Sequence, residues 1–154
     1  MNAFRITQNG FANDLSGKGA EVFGGRWNSV GVPLLYTALH RSLCILEHLV
    51  HLPEGALLTG YSLITVEFPD SSAIQEIPVA DLPVDWRSNP VSPVTRDLGN
   101  QFFSDCQHLA LKVPSVIVPA EFNLLLNPRH PDFRLVKLVS IEPFVYDERL
   151  FTRS

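Results

Sequence analysis

The spacing of apolar residues predicts a helix from residue 38 to about residue 51. Apolar side chains recur there at intervals of four, three and four residues, which is the period of a helix that buries one face. These side chains are Leu39, Leu43, Leu46 and Val50. Thr37 is a suitable N-cap residue, and Pro53 ends the pattern together with Gly55. The segment is therefore predicted to pack against a core along one side.

A second helix is predicted to begin at Ser92. A cap residue followed by proline, as in Ser92-Pro93, is typical of a helix start. The helical pattern continues to about Gln107. The buried side of this helix is predicted to hold Leu98, Phe102, Phe103 and Cys106.

Strands are predicted at four places. Residues 33–36 form a short apolar run, and residues 61–68 alternate between apolar and polar side chains, which is the period of a strand. Residues 115–118 and 134–144 are predicted as two further strands, separated by a turn at residues 127–131. Helices and strands are thus mixed without regular alternation, and the predicted fold class is α+β.

Two segments are predicted to lack regular structure. Residues 8–31 hold six of the nine glycines and are predicted to be loop with short extended pieces. Residues 69–93 hold five of the twelve prolines and are predicted to be a long irregular connection.

Composition narrows the class of protein. A chain of 154 residues that is 45% hydrophobic and 18% charged suits one compact domain and argues against disorder. The formal net charge is −4 and basic residues form no run, so a nucleic-acid-binding surface is not expected. The chain shows neither a secretion signal nor the roughly 18 consecutive apolar residues of a membrane span. Cys44 and Cys106 are interpreted as free thiols, and the expected location is the cytoplasm.

Common nucleotide-binding and hydrolase motifs do not fit. The run Gly17-Lys18-Gly19-Ala20-Glu21-Val22 lacks the last glycine of a dinucleotide fingerprint, follows no predicted strand and opens no predicted helix. No phosphate-binding P-loop pattern occurs. No Gly-x-Ser-x-Gly elbow surrounds Ser115, which argues against a serine-hydrolase triad.

The first predicted helix carries a second stripe, made of His40, Cys44, Glu47 and His51. Such spacing can place metal ligands on one face, but the His-Glu-x-x-His arrangement is absent and one face rarely closes a tetrahedral site. We interpret the stripe as a polar face with one functional carboxylate, Glu47, and expect no metal. From spacing alone, an ordinary surface position is the more usual interpretation of Glu47 and Arg26, and a strand-edge position is the more usual one of Ser115.

Several blocks, taken together and in order, resemble the signature of the RES domain. The blocks are Gly24-Gly25-Arg26-Trp27-Asn28-Ser29-Val30-Gly31, Tyr36-Thr37-Ala38, Leu46-Glu47-His48-Leu49-Val50-His51, Val113-Pro114-Ser115 with Pro119-Ala120-Glu121-Phe122-Asn123, and Leu126-Asn127-Pro128-Arg129-His130-Pro131. The resemblance covers about residues 4–144 and implies that residues 1–154 form a single RES domain. The arginine, glutamate and serine that name the domain correspond to Arg26, Glu47 and Ser115.

The resemblance implies a fold and an activity. It implies an ADP-ribosyltransferase-like domain with a mixed sheet and flanking helices. It further implies a toxin that acts on NAD⁺ as substrate, degrading it or transferring ADP-ribose to a protein. A cognate antitoxin with a helix-turn-helix domain of the Xre type would neutralise the toxin, and the toxin itself is expected to form a homodimer.

The resemblance also implies roles for individual residues. Glu47 would stabilise the oxocarbenium-like ribose by accepting a hydrogen bond from a ribose hydroxyl. Arg26 would bind the pyrophosphate or a ribose hydroxyl through its planar fork, and Tyr36 would offer a flat face to the nicotinamide ring. Ser115 would bond the carboxamide, the ribose or Glu47. Asn123 is a weaker candidate for binding the dinucleotide, and Asn127 is expected to cap its own proline turn.

Two other classes of protein remain open at this point. One is a non-catalytic module that holds a nucleotide without turning it over. The other is an interaction protein whose two tryptophans and ten phenylalanines serve packing and a partner surface. The joint presence of Arg26, Tyr36, Glu47 and Ser115 favours the enzyme, because an inert module needs no such set.

Overall fold

A computed structural model describes residues 1–151 of the chain. Its seven strands form one sheet in the order β4-β5-β6-β2-β1-β3-β7. The strands are β1 Asn2–Gln8, β2 Leu35–Ala38, β3 Tyr61–Glu67, β4 Ile74–Glu76, β5 Ala110–Pro114, β6 Phe122–Leu126 and β7 Lys137–Phe144. β4 and β5 are parallel, whereas the other neighbouring strands pair antiparallel. The sheet is therefore mixed, as the resemblance implied, and the α+β class is confirmed.

In the part of the chain that the structure describes, three α-helices accompany the sheet. They are α1 Lys18–Phe23, α2 Arg41–Leu49 and α3 Pro93–Asp105, and four short 3-10 helices lie at Asn9–Phe11, Val79–Asp81, Pro131–Leu135 and Glu148–Leu150. Within residues 1–151 no helix is both long and apolar enough to cross a membrane. The second predicted helix is confirmed, since α3 starts after Ser92 with Pro93 in its first turn and buries Phe102 and Phe103.

The two faces of the sheet are covered differently. α2 and α3 pack on what we call the helix face, where α2 contributes Leu43 and α3 contributes Phe102 to separate apolar clusters. The opposite face is buried beneath loop and 3-10 segments that supply Ala12 and Phe133. The helix face therefore has a seam between its two clusters, while the other face holds one cluster.

The first predicted helix is shorter than expected, and its predicted buried stripe is wrong in part. Thr37 is the third residue of β2 and donates its hydroxyl to the Leu124 carbonyl at 2.6 Å, so it caps no helix. The helix begins only at Arg41 and buries Leu43 and Cys44, while Val50 is exposed. Leu39, the first residue of the predicted stripe, lies between β2 and α2 and packs against the cluster on the opposite face of the sheet, so the stripe does not follow one face of the helix.

Several strand predictions also needed correction. Residues 115–118 are not a strand, because β5 ends at Pro114 and Ser115 opens the following turn. The strand predicted from residue 134 begins at Lys137, after a 3-10 helix. β3 is confirmed at Tyr61–Glu67, and the turn at residues 127–131 is confirmed as well.

Five strands and α-helices of residues 1–151 had no counterpart in the sequence prediction, namely β1, β4, β5, β6 and α1. The segment at residues 8–31 therefore does contain a helix, and Gly17 immediately precedes it. β1 is a central strand despite Arg5, whose guanidinium donates to the Asp14 carbonyl at 2.6 Å. β4 has three residues, too few to show a period, and lies within the predicted irregular connection.

Candidate active site

Glu47 points from α2 towards the sheet. It follows Leu43 and Cys44 by four and three residues, and both are buried against the sheet. Side chains at those intervals share one side of a helix, so the Glu47 carboxylate faces the same way. Because α2 packs its apolar side on the sheet, the Glu47 carboxylate lies at the seam of the helix face.

Asn123 lies in that seam because of strand register. On β6 it stands opposite Ala38 of β2 on one side and Val113 of β5 on the other. Directly opposed residues share a face of the sheet. Ala38 belongs to the cluster beneath α2 and Val113 to the cluster beneath α3, so Asn123 lies between the two clusters.

The Glu47 carboxylate is held through one of its oxygens. Oε1 accepts a hydrogen bond from the Ser115 hydroxyl at 2.7 Å and another from Asn123 Nδ2 at 2.6 Å. Two donors on one oxygen fix the rotation of the carboxylate as well as its position. Among residues 1–151, Oε2 has no hydrogen-bond partner, and it does not belong to the buried polar atoms that lack one. Oε2 is therefore the oxygen that a ligand can reach.

The direction of the Ser115 hydrogen bond follows from its surroundings. The Ser115 oxygen accepts from the backbone N–H groups of Ile117 and Val118, both at 3.0 Å. A hydroxyl has two acceptor sites and one proton. The only proton is therefore available to Glu47, and the turn that follows β5 holds the hydroxyl in the donating orientation.

Arg26 is anchored at the other end of the site. Its Nη1 donates to the carbonyls of Trp86 and Ser88, at 2.6 and 3.2 Å. Burial lowers the pKa of Arg26, while the nearby Glu47 carboxylate acts in the opposite direction. An arginine stays protonated under such a shift. The site therefore contains both a fixed cation and the Glu47 carboxylate.

Tyr36 holds the loop that carries Arg26. Its hydroxyl donates to Asn28 Oδ1 at 2.7 Å and accepts from the Trp27 N–H at 3.1 Å. Burial raises the pKa of this phenol, so it stays protonated as the hydrogen bond to Asn28 requires. The close packing also explains Gly25, because a Cβ at that position would lie 2.7 Å from the Tyr36 hydroxyl oxygen.

Asn28 has a structural role that the sequence analysis did not single out. It is fully buried, and its Nδ2 donates to the carbonyls of Ala20 and Val32 at 2.7 and 2.9 Å. Its position inside the glycine-rich block was the available signal. Trp86 and Ser88 were also missed, because they lie in a segment without periodicity and act through backbone carbonyls that carry no sequence signature.

The structure thus brings Glu47, Ser115 and Asn123 into direct contact and places Arg26 and Tyr36 within electrostatic reach. Asn127 lies apart from them. Its Oδ1 accepts from the Arg129 N–H at 3.0 Å and its Nδ2 donates to the Phe103 carbonyl, so it does cap its own turn.

The polar stripe predicted on α2 is divided in the structure. Cys44 is buried, and burial raises its pKa to about 12, whereas Glu47 is bonded to Ser115 and Asn123. Over residues 1–151, no group of three or more His, Cys, Asp or Glu side chains is arranged to hold a metal ion. Cys44 and Cys106 are both free thiols, with Cys106 only partly buried.

A cavity of about 760 Å³ lies at the C-terminal end of α2. Its lining includes His48, His51 and Tyr61. Neither Glu47 nor Arg26 belongs to that lining. The site built around Glu47 is therefore separate from this cavity.

Comparison with known proteins gives consistent matches. A family model described as the RES domain matches residues 2–147. The Prs ADP-ribosylating toxin of Sphingobium sp. (strain YBL2) is 41% identical over 145 residues, which span 93% of this chain and 90% of that protein. Toxin Res of Yersinia enterocolitica is 40% identical over 153 residues, spanning 97% of this chain and 99% of the relative.

A solved structure shares the fold. The crystal structure of the M. tuberculosis MbcT–MbcA toxin–antitoxin complex contains a chain that matches with a TM-score of 0.72 and 21% identity. The match covers 94% of this chain and 84% of that one.

Proposed function

The chain belongs to the RES domain family, and on that premise we propose that it is the toxin of a toxin–antitoxin pair, an enzyme that cleaves NAD⁺. The bond broken is the one between nicotinamide and ribose. The family match over residues 2–147 supports the view that residues 1–154 form one RES domain. NAD⁺ is the substrate, and the reaction needs no metal.

The observation that carries this proposal is the anchored carboxylate. Ser115 and Asn123 occupy Oε1 of Glu47, at 2.7 and 2.6 Å, and leave Oε2 to accept a hydrogen bond from a ribose hydroxyl. A preorganised acceptor of negative charge stabilises a positive charge that develops on the sugar. A carboxylate with both oxygens paired inside the protein would lack this capacity.

The reaction balances without a strong general acid. The bond from the ribose anomeric carbon to the pyridinium nitrogen breaks, and its electron pair neutralises that nitrogen, so nicotinamide leaves uncharged. The anomeric carbon becomes oxocarbenium-like and is then attacked by a nucleophile. If water attacks, the products are ADP-ribose and a proton; if a protein side chain attacks, the product is an ADP-ribosylated protein.

Arg26 is assigned to the dinucleotide. Nη1 is taken by the carbonyls of Trp86 and Ser88, and within residues 1–151 neither Nε nor Nη2 has a protein partner. A guanidinium with one anchored arm presents its remaining donors in a fixed direction, which suits phosphate oxygens. The Tyr36 ring, half-buried beside it, is assigned to the nicotinamide face.

Ser115 and Asn123 are assigned to the carboxylate rather than to NAD⁺. Both donate to the same oxygen of Glu47, and Ser115 has no further proton to offer. We therefore revise the expected dinucleotide-binding role of Asn123 to that of holding Glu47. This assignment makes both residues positioning groups.

The proposed partner of this toxin is an antitoxin with a helix-turn-helix domain of the Xre type. The chain has a net charge of −4, so DNA contacts of a complex would come from the antitoxin. Inhibition requires that the antitoxin cover the surface between Glu47 and Arg26, because a large dinucleotide must reach both residues.

We also propose that the chain acts in the cytoplasm as a homodimer. Light scattering of the purified chain would test the dimer.

The direct test is to incubate the purified protein with NAD⁺ and measure nicotinamide release. We expect release by the wild type and almost none by Glu47→Gln, the matched control. The ratio of free ADP-ribose to nicotinamide separates hydrolysis from transfer. A soluble, folded wild type that leaves NAD⁺ intact would favour the non-catalytic binding module.

A test in cells addresses the toxin assignment. Expression of the chain alone should stop growth and lower cellular NAD⁺, and co-expression of the antitoxin encoded next to it should restore both. Expression of Glu47→Gln at the same level should leave growth normal. Normal growth with abundant soluble wild-type protein would contradict the assignment.

A further inference from the structure

One side of α3 follows the loop that carries Arg26. Gly99 and Asn100 follow Arg96 by three and four residues, so both lie on the same side of the helix as Arg96. They meet alternate residues of the loop, namely Gly25, Trp27 and Ser29. Arg26 lies between the first two of these contacts. The helix therefore supports the loop on both sides of the arginine.

The contact at Gly99 is backbone against backbone. A Cβ built on Gly99 would lie 1.7 Å from the Trp27 carbonyl oxygen, a distance that no real side chain tolerates. Glycine is thus required for the helix to approach the loop this closely. The approach leaves little freedom for the loop to move relative to α3.

The contact at Asn100 is a reciprocal pair of hydrogen bonds. Asn100 Oδ1 accepts from the Ser29 N–H at 2.9 Å, and Asn100 Nδ2 donates to the Ser29 hydroxyl at 2.8 Å. The pair joins positions 71 residues apart in the chain. The amide orientation is determined, because only its oxygen can accept from a backbone N–H.

We infer that Asn100 is a positioning residue. It fixes the loop from which Arg26 projects, and it thereby sets the orientation in which the Arg26 guanidinium binds the dinucleotide. This inference rests on the proposed role of Arg26 in binding NAD⁺. The carbonyls of Trp86 and Ser88 hold the tip of the Arg26 side chain. α3 contacts the residues on both sides of Arg26, Gly25 and Trp27. When both the loop backbone and the side-chain tip are held, the Arg26 guanidinium has one orientation. If only the tip were held, the loop could shift and the guanidinium could change orientation.

The test compares Asn100→Ala with Asn100→Asp in the whole protein. Alanine removes both hydrogen bonds to Ser29. Aspartate keeps an acceptor for the Ser29 N–H, and its second oxygen can accept from the Ser29 hydroxyl after that hydroxyl rotates. We expect Asn100→Ala to raise KM for NAD⁺ about fivefold to tenfold with kcat within about twofold, because the binding geometry changes and the chemistry does not. Asn100→Asp should leave KM for NAD⁺ close to the wild-type value.

A merely structural role would give a different pattern. Loss of folded protein lowers the active fraction, and hence the apparent kcat, and leaves KM unchanged. Thermal unfolding of each variant checks this directly. Should Asn100→Ala fail to fold, Ser29→Ala removes one of the two hydrogen bonds and tests the same contact with a smaller expected rise in KM.

A double-mutant cycle links the effect to Arg26. In an Arg26→Ala background, Asn100→Ala should change kcat/KM by less than about twofold, because that background has no guanidinium whose orientation Asn100 could set. An equal loss in both backgrounds would overturn the inference. So would a wild-type KM in Asn100→Ala. A wild type that neither binds nor cleaves NAD⁺ would instead overturn the proposed function, and the inference with it.

Discussion

The two ends of the site are built differently. Glu47 projects from a regular helix and is held by two side chains, Ser115 in the turn after β5 and Asn123 on β6. Arg26 projects from a loop and is held by the backbone carbonyls of Trp86 and Ser88 in a second loop. The carboxylate end depends on register within a sheet, whereas the arginine end depends on how loops are tied to one another.

The difference has consequences for substitution. At the carboxylate end, each supporting contact is one side-chain hydrogen bond, so a mutation can remove it while the fold persists. At the arginine end, support comes through buried groups such as the Asn28 amide and the Tyr36 hydroxyl. Mutations there are expected to combine losses of affinity with losses of stability.

The largest expected effect is that of Glu47→Gln. The Gln oxygen can still accept from Ser115 and Asn123, which places an amide NH₂ where Oε2 now lies. The free position then changes from a charged acceptor to a neutral donor, and kcat should fall by about 10² or more with little change in melting temperature. Nicotinamide release and thermal unfolding measure the two quantities. Retained turnover in folded protein would remove Glu47 from the chemistry.

The supporting residues of Glu47 provide the next comparison. Ser115→Ala and Asn123→Ala each remove one donor to Oε1, and each should lower kcat by about tenfold with a small change in KM. Ser115→Ala should be the less stable variant, by about 1–2 kcal/mol, because two backbone N–H groups also lose their acceptor. Chemical denaturation measures that difference. Equal stability of the two variants would contradict the role of the Ser115 turn.

Arg26→Lys tests the other end of the site. A lysine is a point charge and cannot keep an anchored arm while presenting further donors in a fixed plane. Affinity for NAD⁺ should weaken by about tenfold, or about 1.4 kcal/mol. Calorimetry in the Glu47→Gln background measures binding without turnover. An affinity equal to that of Glu47→Gln alone would place Arg26 outside the binding surface.

The smallest effect on catalysis is expected for Tyr36→Phe. The ring is kept, but the Trp27 N–H and Asn28 Oδ1 lose their shared partner, and Asn28 is fully buried. Stability should fall by about 1–3 kcal/mol, while KM rises only about threefold. Unfolding curves and steady-state kinetics measure both. A fall in kcat larger than that of Ser115→Ala would show that the hydroxyl takes part in the chemistry.

Local patterns predicted the elements that carry their own signals. α3 has a cap residue, a proline and a buried aromatic pair, and β3 alternates between apolar and polar residues, so both were located within two residues of their ends. β1 was missed although Phe4 and Ile6 alternate with Arg5 and Thr7, which is the period of a strand. β6 was missed because its apolar run, Phe122–Leu126, lies between two turn-like segments and is only five residues long.

The residues of the site were identifiable from ordered sequence blocks, but their contacts were not. Ser115 was left with three possible partners and Asn123 was assigned to the dinucleotide, whereas both bond Glu47. Asn100 belonged to no block and showed no signal. Its contact with Ser29 exists only because Gly99 lets α3 approach the loop.

The sequence by itself determined the α+β class, the family, and the set of chemical groups available: one carboxylate on a helix, one arginine in a glycine-rich loop, and a serine after a proline. Tertiary structure alone decided which groups meet. Glu47 is 68 residues from Ser115 and 76 from Asn123, and Arg26 is 60 from Trp86. Local periodicity reports the burial of neighbouring residues, whereas these contacts depend on strand register and helix docking, which are properties of the whole packed sheet.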